Sequence, residues 1–186
     1  MDEPQGIGAV VATPWRRLPD DGPRRGDGWL AVGQVRSPGN LGTLMRTAAA
    51  AGFRGLVVPS NVGADPFHPA AVRASMGALF ALELVRASAA ELGWWKRRCG
   101  ATFVGASPHG SIDYRRFAYR RPLVLVLGSE RKGLSDEQRA LCDVQVRIPM
   151  VGGDSLNLAV AGSILVYESL RASGPPTRSV ATHADG

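Results

Sequence analysis

The sequence predicts an α/β domain: a mainly parallel sheet flanked by helices. Two observations carry that expectation. Short apolar runs bounded by Gly, Pro, Asn and Ser alternate with stretches of helical periodicity, in the rhythm strand, helix, strand, helix. The 186 residues and a 45% hydrophobic content suit one domain with a proper core. No internal repeat is present. No apolar run reaches the roughly 20 residues of a membrane span, so no membrane partner is expected. Met1-Asp-Glu-Pro-Gln5 lacks the basic start and apolar core of a signal peptide, which predicts a cytoplasmic protein.

Residues 1–29 read as a partly flexible arm, with Pro4, Pro14, Pro19 and Pro23 spread among charges and glycines. Only Gly8–Ala12 is apolar enough for a short strand or a docked segment. The domain proper spans 30–172. Leu30–Val35 is a buried-strand candidate, and Arg36-Ser-Pro-Gly-Asn-Leu-Gly42 is a turn by composition. A helix from about Leu41 to Ala51 follows, with Leu41, Leu44, Met45 and Ala48 on one face and Gly52 as its stop signal. Arg46 falls off that face among the small residues Gly42, Thr43, Ala49 and Ala50, free to reach into a cleft.

Leu56–Pro59 is the next strand, and Pro69 suits the first turn of a helix that His68 starts. Ala81–Arg86 is a strand, Ser88–Cys99 a helix with a basic end, and Ala101–Ala106 a strand. Pro122–Gly128 is a strongly apolar strand. Ser135-Asp-Glu-Gln138 is a capping box opening a helix that ends near Cys142. Val144, Val146, Ile148 and Met150 alternate as a strand does. Gly152 and Gly153 then loosen the backbone, and Asp154 or Ser155 can cap a helix running from Leu156 to about Arg171. That helix is apolar on nearly every side until Tyr167, so it should be buried. Residues 173–186 form a Ser-, Pro-, Thr- and Ala-rich tail expected to be disordered.

Cys99 and Cys142 sit in separate predicted helices and read as core thiols; no metal-ligand spacing exists, so no metal is expected. The net charge is +6, nearly all from arginine. Clusters occur at Arg16-Arg17, Arg24-Arg25, Lys96-Arg97-Arg98, Arg115-Arg116 and Arg120-Arg121. Such a surface suits a polyanionic partner, although solvated charge accounts for it equally well.

Three glycine-bearing loops follow strands: Ser37–Gly42, Gly128–Gly133 and Met150–Ser155. In parallel sheets ligands bind beyond the carboxyl ends of strands, so these loops could share one site. Neither G-x-G-x-x-G nor G-x-x-x-x-G-K-[ST] occurs, which argues against a dinucleotide or phosphate loop. Asn40-Leu-Gly42 with Arg46, then Gly128, Glu130 and Gly133, then Ile148-Pro-Met150, Gly152 and Ser155-Leu-Asn157 match three motifs in order. In these, and in Arg73–Ala78, the chain from Trp29 to Ala172 resembles the SpoU (TrmH-like) family of the SPOUT methyltransferases.

That resemblance implies a C-terminal trefoil knot that binds S-adenosylmethionine, a homodimer with the site near the subunit interface, and methylation of a ribose 2′-hydroxyl in rRNA or tRNA. It places Gly128, Ile148, Met150 and Leu156 in the cofactor pocket. Arg46 takes the position of the catalytic arginine, within a polar network of Asn40, Glu130, Ser155 and Asn157. A guanidinium is a poor base because its pKa exceeds about 12, so electrostatic stabilisation of the 2′-oxygen or of a phosphate suits Arg46 better. Read without the family, Asn40 is a helix cap, Glu130 a surface partner of Arg131 or Lys132, and Arg46 a solvated arginine. His109 is the one histidine worth testing as an alternative base.

Two departures from the family keep other functions open. Ser37 stands where an acidic residue is common, and the third loop is one residue shorter between Gly152 and Ser155. Larger relatives carry an N-terminal RNA-binding domain where only the arm is expected here, and Gly6–Val11 looks like the trailing end of one; the basic surface of the dimer, the arm or a partner protein is then expected to grip the RNA. Methylation of a small molecule, or RNA binding without catalysis, are the alternatives.

Overall fold

The computed structural model describes residues 10–60, 63, 65–153 and 155–173. Of the expected tail 173–186, Ser173 ends the last helix and the rest lies outside them, as does the beginning of the arm. Eight strands form one sheet in the order β1-β4-β3-β2-β7-β5-β8-β6, and every pairing is parallel. They are β1 Trp15–Arg16, β2 Gly28–Val32, β3 Gly55–Val58, β4 Glu83–Arg86, β5 Thr102–Ala106, β6 Ile112–Asp113, β7 Leu123–Leu127 and β8 Val144–Arg147. The helices are α1 Pro38–Ala50, α2 Pro69–Ser75, α3 Ala89–Cys99, α4 Asp136–Leu141 and α5 Leu158–Ser173.

The central strands β2, β3 and β7 are buried at every residue, as expected of a parallel sheet covered on both faces. Alternation along them feeds two cores. Leu30, Leu56, Leu125 and Leu127 face α1 and α5 through Leu41, Leu44, Met45, Leu165 and Val166. Trp29, Val57, Val124 and Val126 face α3 through Leu92 and Trp95. Trp95 stands edge-on to Trp29 at 5.4 Å and to Phe103 at 6.4 Å, and its indole N–H donates to the Pro19 carbonyl at 2.9 Å. Trp95→Ala removes this hub and leaves a cavity. A loss of about 3–5 kcal/mol in denaturant unfolding is expected.

Local signals hold where they were strong. Ser88 with Glu91 and Ser135 with Gln138 close complete capping boxes, and His68 caps α2 with Pro69 at its start. Helix α1 differs: it begins at Pro38, inside the stretch expected to be a turn. The Ser37 hydroxyl accepts from the Asn40 N–H at 3.3 Å, and Pro38 occupies the first helical position, where its missing N–H costs nothing.

The arm also differs from expectation. Val10–Ala12 is exposed and not a strand. Instead Trp15–Arg16 pairs with β4 at the sheet edge, and Trp15 is held by Phe67 edge-on at 5.0 Å and by Arg86 over its ring at 4.1 Å. Strand β8 stops at Arg147, so Ile148 and Met150 belong to a loop. Cys142 lies just past α4. It is partly buried, its thiol donates to the Gln138 carbonyl, and burial pushes its pKa up to about 11. The thiol is therefore inert near neutral pH. No helix among the described residues is long and apolar enough to cross a membrane.

Candidate functional site

The three glycine-bearing loops meet at the carboxyl end of the sheet, beyond β2, β7 and β8. A chain of side-chain hydrogen bonds joins them. The Asn157 amide donates to the Asn40 side-chain oxygen at 3.3 Å, and the Asn40 amide donates to Glu130 at 2.6 Å. The second Glu130 oxygen accepts from the Arg36 N–H at 3.2 Å. Glu130 therefore holds the mouth of α1 and makes no ion pair with Arg131 or Lys132 among the described residues. Its charge also sits by the N-terminus of α1, where the helix dipole favours an anion. Asn40 is not a cap: it is the third helical residue, with both amide atoms committed to the other two loops.

Gly128 is required by close approach. A Cβ there would lie 1.9 Å from the Gly133 carbonyl carbon and 2.2 Å from the Leu134 nitrogen. Ser129 and Gly133 exchange main-chain bonds of 2.8 and 3.0 Å across the tight loop that presents Glu130. Gly33 lies beneath it, with a Cβ position 2.8 Å from the Gly128 carbonyl carbon. Its role went unread in the sequence, although a lone glycine inside an apolar strand run is a signal of close backbone approach.

The third loop leaves β8, which is separated from β7 by β5, and returns to α1 at Asn157. Asn157 caps α5: its side-chain oxygen accepts from Ala159 N at 2.8 Å and Val160 N at 3.3 Å. The expectation of a helix starting at Leu156, capped by Asp154 or Ser155, is corrected to a start at Leu158. Ser155 is exposed and makes no hydrogen bond among the described residues; Asp154 lies outside them. Asn157→Ala should cost about 1 kcal/mol by thermal or urea denaturation, because two helix-end N–H groups lose their acceptor. Ile148 and Met150 are half-buried and Leu156 is exposed, all along this loop. No hydrogen bond among the described residues engages the backbone of Met150, Val151, Gly152 or Gly153. Main-chain groups without a partner among the described residues, beside apolar side chains, are the ingredients of a ligand site.

Helix α5 is less buried than its composition suggests. Gly162, Leu165 and Val166 pack inward, with Gly162 directly against Leu44 and Leu127, and Thr47 of α1 meets Ser163 at 3.0 Å. Val160 and Tyr167 remain 49% and 52% exposed. The sheet covers only one side of the helix, so an apolar face stays open in the single chain.

Arg46 is exposed and makes no hydrogen bond or ion pair among the described residues. The small residue behind it, Gly42, is buried where α1 crosses α2, with a Cβ position 2.5 Å from Ala74. The network expected around Arg46 thus divides. Asn40, Glu130 and Asn157 come together, whereas Arg46 and Ser155 stand outside. Arg46 is six residues along α1 from Asn40, about 9 Å along the axis and on another face. His109 is exposed in the loop after β5 and has no side-chain bond to the network. Among the described residues no group of His, Cys, Asp and Glu is placed to hold a metal.

Residues 29–167 match the SpoU rRNA Methylase family. The chain is 40% identical over 179 residues to a 23S rRNA (uridine(2479)-2′-O)-methyltransferase of Streptomyces viridochromogenes, covering 91% of this chain and 61% of that one. Its structure is similar to an AdoMet-bound rRNA methyltransferase from Sinorhizobium meliloti, with a TM-score of 0.80, 40% identity, and coverage of 84% and 60%. It is also similar to the SpoU methyltransferase AviRb from Streptomyces viridochromogenes in complex with AdoMet, with a TM-score of 0.74, 38% identity, and coverage of 81% and 59%. The chain thus spans about three fifths of the length of these relatives.

Proposed function

The chain belongs to the SpoU rRNA Methylase family, and from that membership we propose that it is an S-adenosylmethionine-dependent methyltransferase acting on a ribose 2′-hydroxyl of rRNA or tRNA in the cytoplasm. The observation that carries this reading is the bonded series Asn157–Asn40–Glu130, which ties three sequence-distant motif loops into one site at the strand ends. Among RNA classes, rRNA is favoured by the two relatives named for rRNA methylation.

The residues present fit the cofactor. Gly128 lets the loop after β7 fold tightly on Gly133, the loop 150–153 offers main-chain groups with no partner among the described residues, and Ile148, Met150 and Leu156 supply apolar walls. S-adenosylmethionine supplies an electron-poor methyl group. What remains for the chain is to hold the ribose hydroxyl and favour its oxygen as negative charge develops. Arg46 is the group for that task, since a solvated, unpaired guanidinium can bind a phosphate or a developing alkoxide without first breaking an ion pair. Asn40, Glu130 and Asn157 position the loops, and Ser155 is a free hydroxyl at the entrance.

The trefoil knot is part of the same proposal. It is supported by the third loop, which crosses from β8 past β5 and β7 to reach α1. A homodimer through the open face of α5 is supported by exposed Val160 and Tyr167. A second copy, or the RNA itself, closes the gap between Arg46 and the Asn40 network.

The test is incubation of the full chain with methyl-labelled S-adenosylmethionine and total RNA from cells lacking the gene. Label in one RNA class, recovered as a 2′-O-methyl nucleotide, is the expected result. Cofactor binding without label in any RNA would replace this reading with a small-molecule acceptor. Neither label nor binding would leave RNA binding without catalysis.

A further inference from the structure

We propose that the N-terminal edge of the sheet, opposite the candidate site, is a second RNA-binding surface. Arg24, Arg25, Arg97, Arg98 and Arg120 build it, and it grips phosphates away from the nucleotide being modified. The inference rests on the reading of the chain as an RNA-modifying enzyme.

These arginines come from clusters far apart in sequence, and the strand order makes them neighbours. Strands β2, β7 and β5 are adjacent and parallel, so the segments leading into them end side by side. Gly28, Leu123 and Thr102 share one register level. Main-chain bonds lace the three segments: Leu123 N donates to Asp27 O at 3.0 Å, and Thr102 N donates to Pro122 O at 3.0 Å. Arg121 is the strut between them. Its guanidinium is half-buried over Phe53 at 5.1 Å and donates to the Gly26 carbonyl at 3.1 Å. Arg121 is therefore committed to structure, whereas Arg120 beside it is exposed. The three segments lie within two strand spacings, about 10 Å.

Among the described residues the charge gathered there is not neutralised. Arg24, Arg25, Arg97, Arg98 and Arg120 are all exposed, and none forms an ion pair among the described residues. The carboxylates of this edge are engaged by other cations: Asp27 and Glu83 by Arg54 at 2.9 and 3.0 Å, and Asp143 by Lys96 at 2.6 Å. Asp20 and Asp21, in the turn before Arg24, are the exposed carboxylates that remain nearby. Arg98 is held over the ring of Trp94 at 4.6 Å, and that ring is itself 45% exposed. This stacking extends the guanidinium along the surface and reduces the freedom it must lose on binding.

Crowded like charges weaken the folded state, so an unpaired arginine cluster fits a partner that brings negative charge. Guanidinium forks match phosphate oxygens in pairs. The edge is one strand length, about 16 Å, from the candidate site, within reach of a single folded RNA.

The test compares the full chain with the variant Arg24→Gln, Arg25→Gln, Arg97→Gln, Arg98→Gln, Arg120→Gln. Binding to purified rRNA is measured from about 50 to 300 mM KCl. We expect the log–log salt slope to fall by about 2–4, with at least a 10-fold affinity loss at the lowest salt. S-adenosylmethionine affinity should be unchanged and the melting temperature should not fall; if the five-fold variant misfolds, the pair Arg24→Gln, Arg25→Gln should lower the slope by about 1. Unchanged affinity and slope in a folded variant overturn the surface, even if the wild type methylates RNA, and leave an acidic protein as its occupant. A lowered slope in the variant, with no methyl transfer to RNA by the wild type, keeps the surface and removes the methyltransferase reading.

Discussion

Arg46→Ala is expected to lower kcat for the proposed RNA methylation by about 100- to 1000-fold and to leave the Kd for S-adenosylmethionine unchanged. The magnitude is that of removing one charged donor aimed at developing negative charge. The separation of effects follows from position. Arg46 projects from the exposed side of α1, while the proposed cofactor walls lie on the loops after β7 and β8. Its exposure and its lack of an ion pair among the described residues also mean that its loss should change stability by less than about 0.5 kcal/mol. Arg46→Lys should recover only part of the rate, because an ammonium keeps the charge but loses the paired donors. Single-turnover methylation with saturating cofactor, beside calorimetric cofactor titration, measures both quantities. Full activity in Arg46→Ala would remove the residue from the mechanism. A parallel loss of cofactor affinity would move it into the pocket.

Gly128→Ala should abolish cofactor binding at ordinary concentrations, with a Kd raised by about 100-fold, and destabilise the domain by about 1–3 kcal/mol. The clash is with main-chain atoms of Gly133 and Leu134, which cannot rotate away as a flexible side chain would. The Ser129–Gly133 bridge must open, and Glu130 then leaves Asn40. Gly133→Ala is the informative control. Gly133 has φ +64° and open space where a Cβ would be built, so alanine there meets only left-handed backbone strain, about 1–2 kcal/mol. Calorimetry and thermal unfolding of the two variants should therefore differ most in binding. Normal cofactor affinity in Gly128→Ala would show that the loop after β7 is not the floor of the pocket.

Elements specified by neighbouring residues were legible in the sequence. The capping box at Ser135, the start of α3 at Ser88 and the start of α2 at His68-Pro69 need only three or four consecutive residues, and the structure has them where expected. Helix α1 shows the limit. Ser37-Pro-Gly-Asn40 is equally a turn composition and a cap with proline at the first helical position. The apolar face of α1 against the sheet decides in favour of the helix. Strand β1 was illegible because two residues carry no periodicity, and its existence depends on β4, whose paired residues lie 69 positions away in the chain.

The candidate site divides in the same way. Its residue types and spacing were readable in the three loops, including Asn40, Gly128, Glu130 and Asn157. Which of them touch was not readable. Asn157 was expected in the first turn of α5 and instead caps it. Arg46 and Asn40 share a helix, but a rotation of 100° per residue turns them to different faces. The arginine clusters followed the same rule. Their charge was plain in the sequence, but their gathering on one edge required the order β2-β7-β5. By itself the sequence determined the α/β class, the central strands and the three motifs, because hydrophobic patterning and capping act over a few residues. Tertiary structure alone decided the edge strand, the division of the polar network and the arginine edge. The physical reason is that each depends on which strands pair, and pairing is settled by burial across the whole sheet.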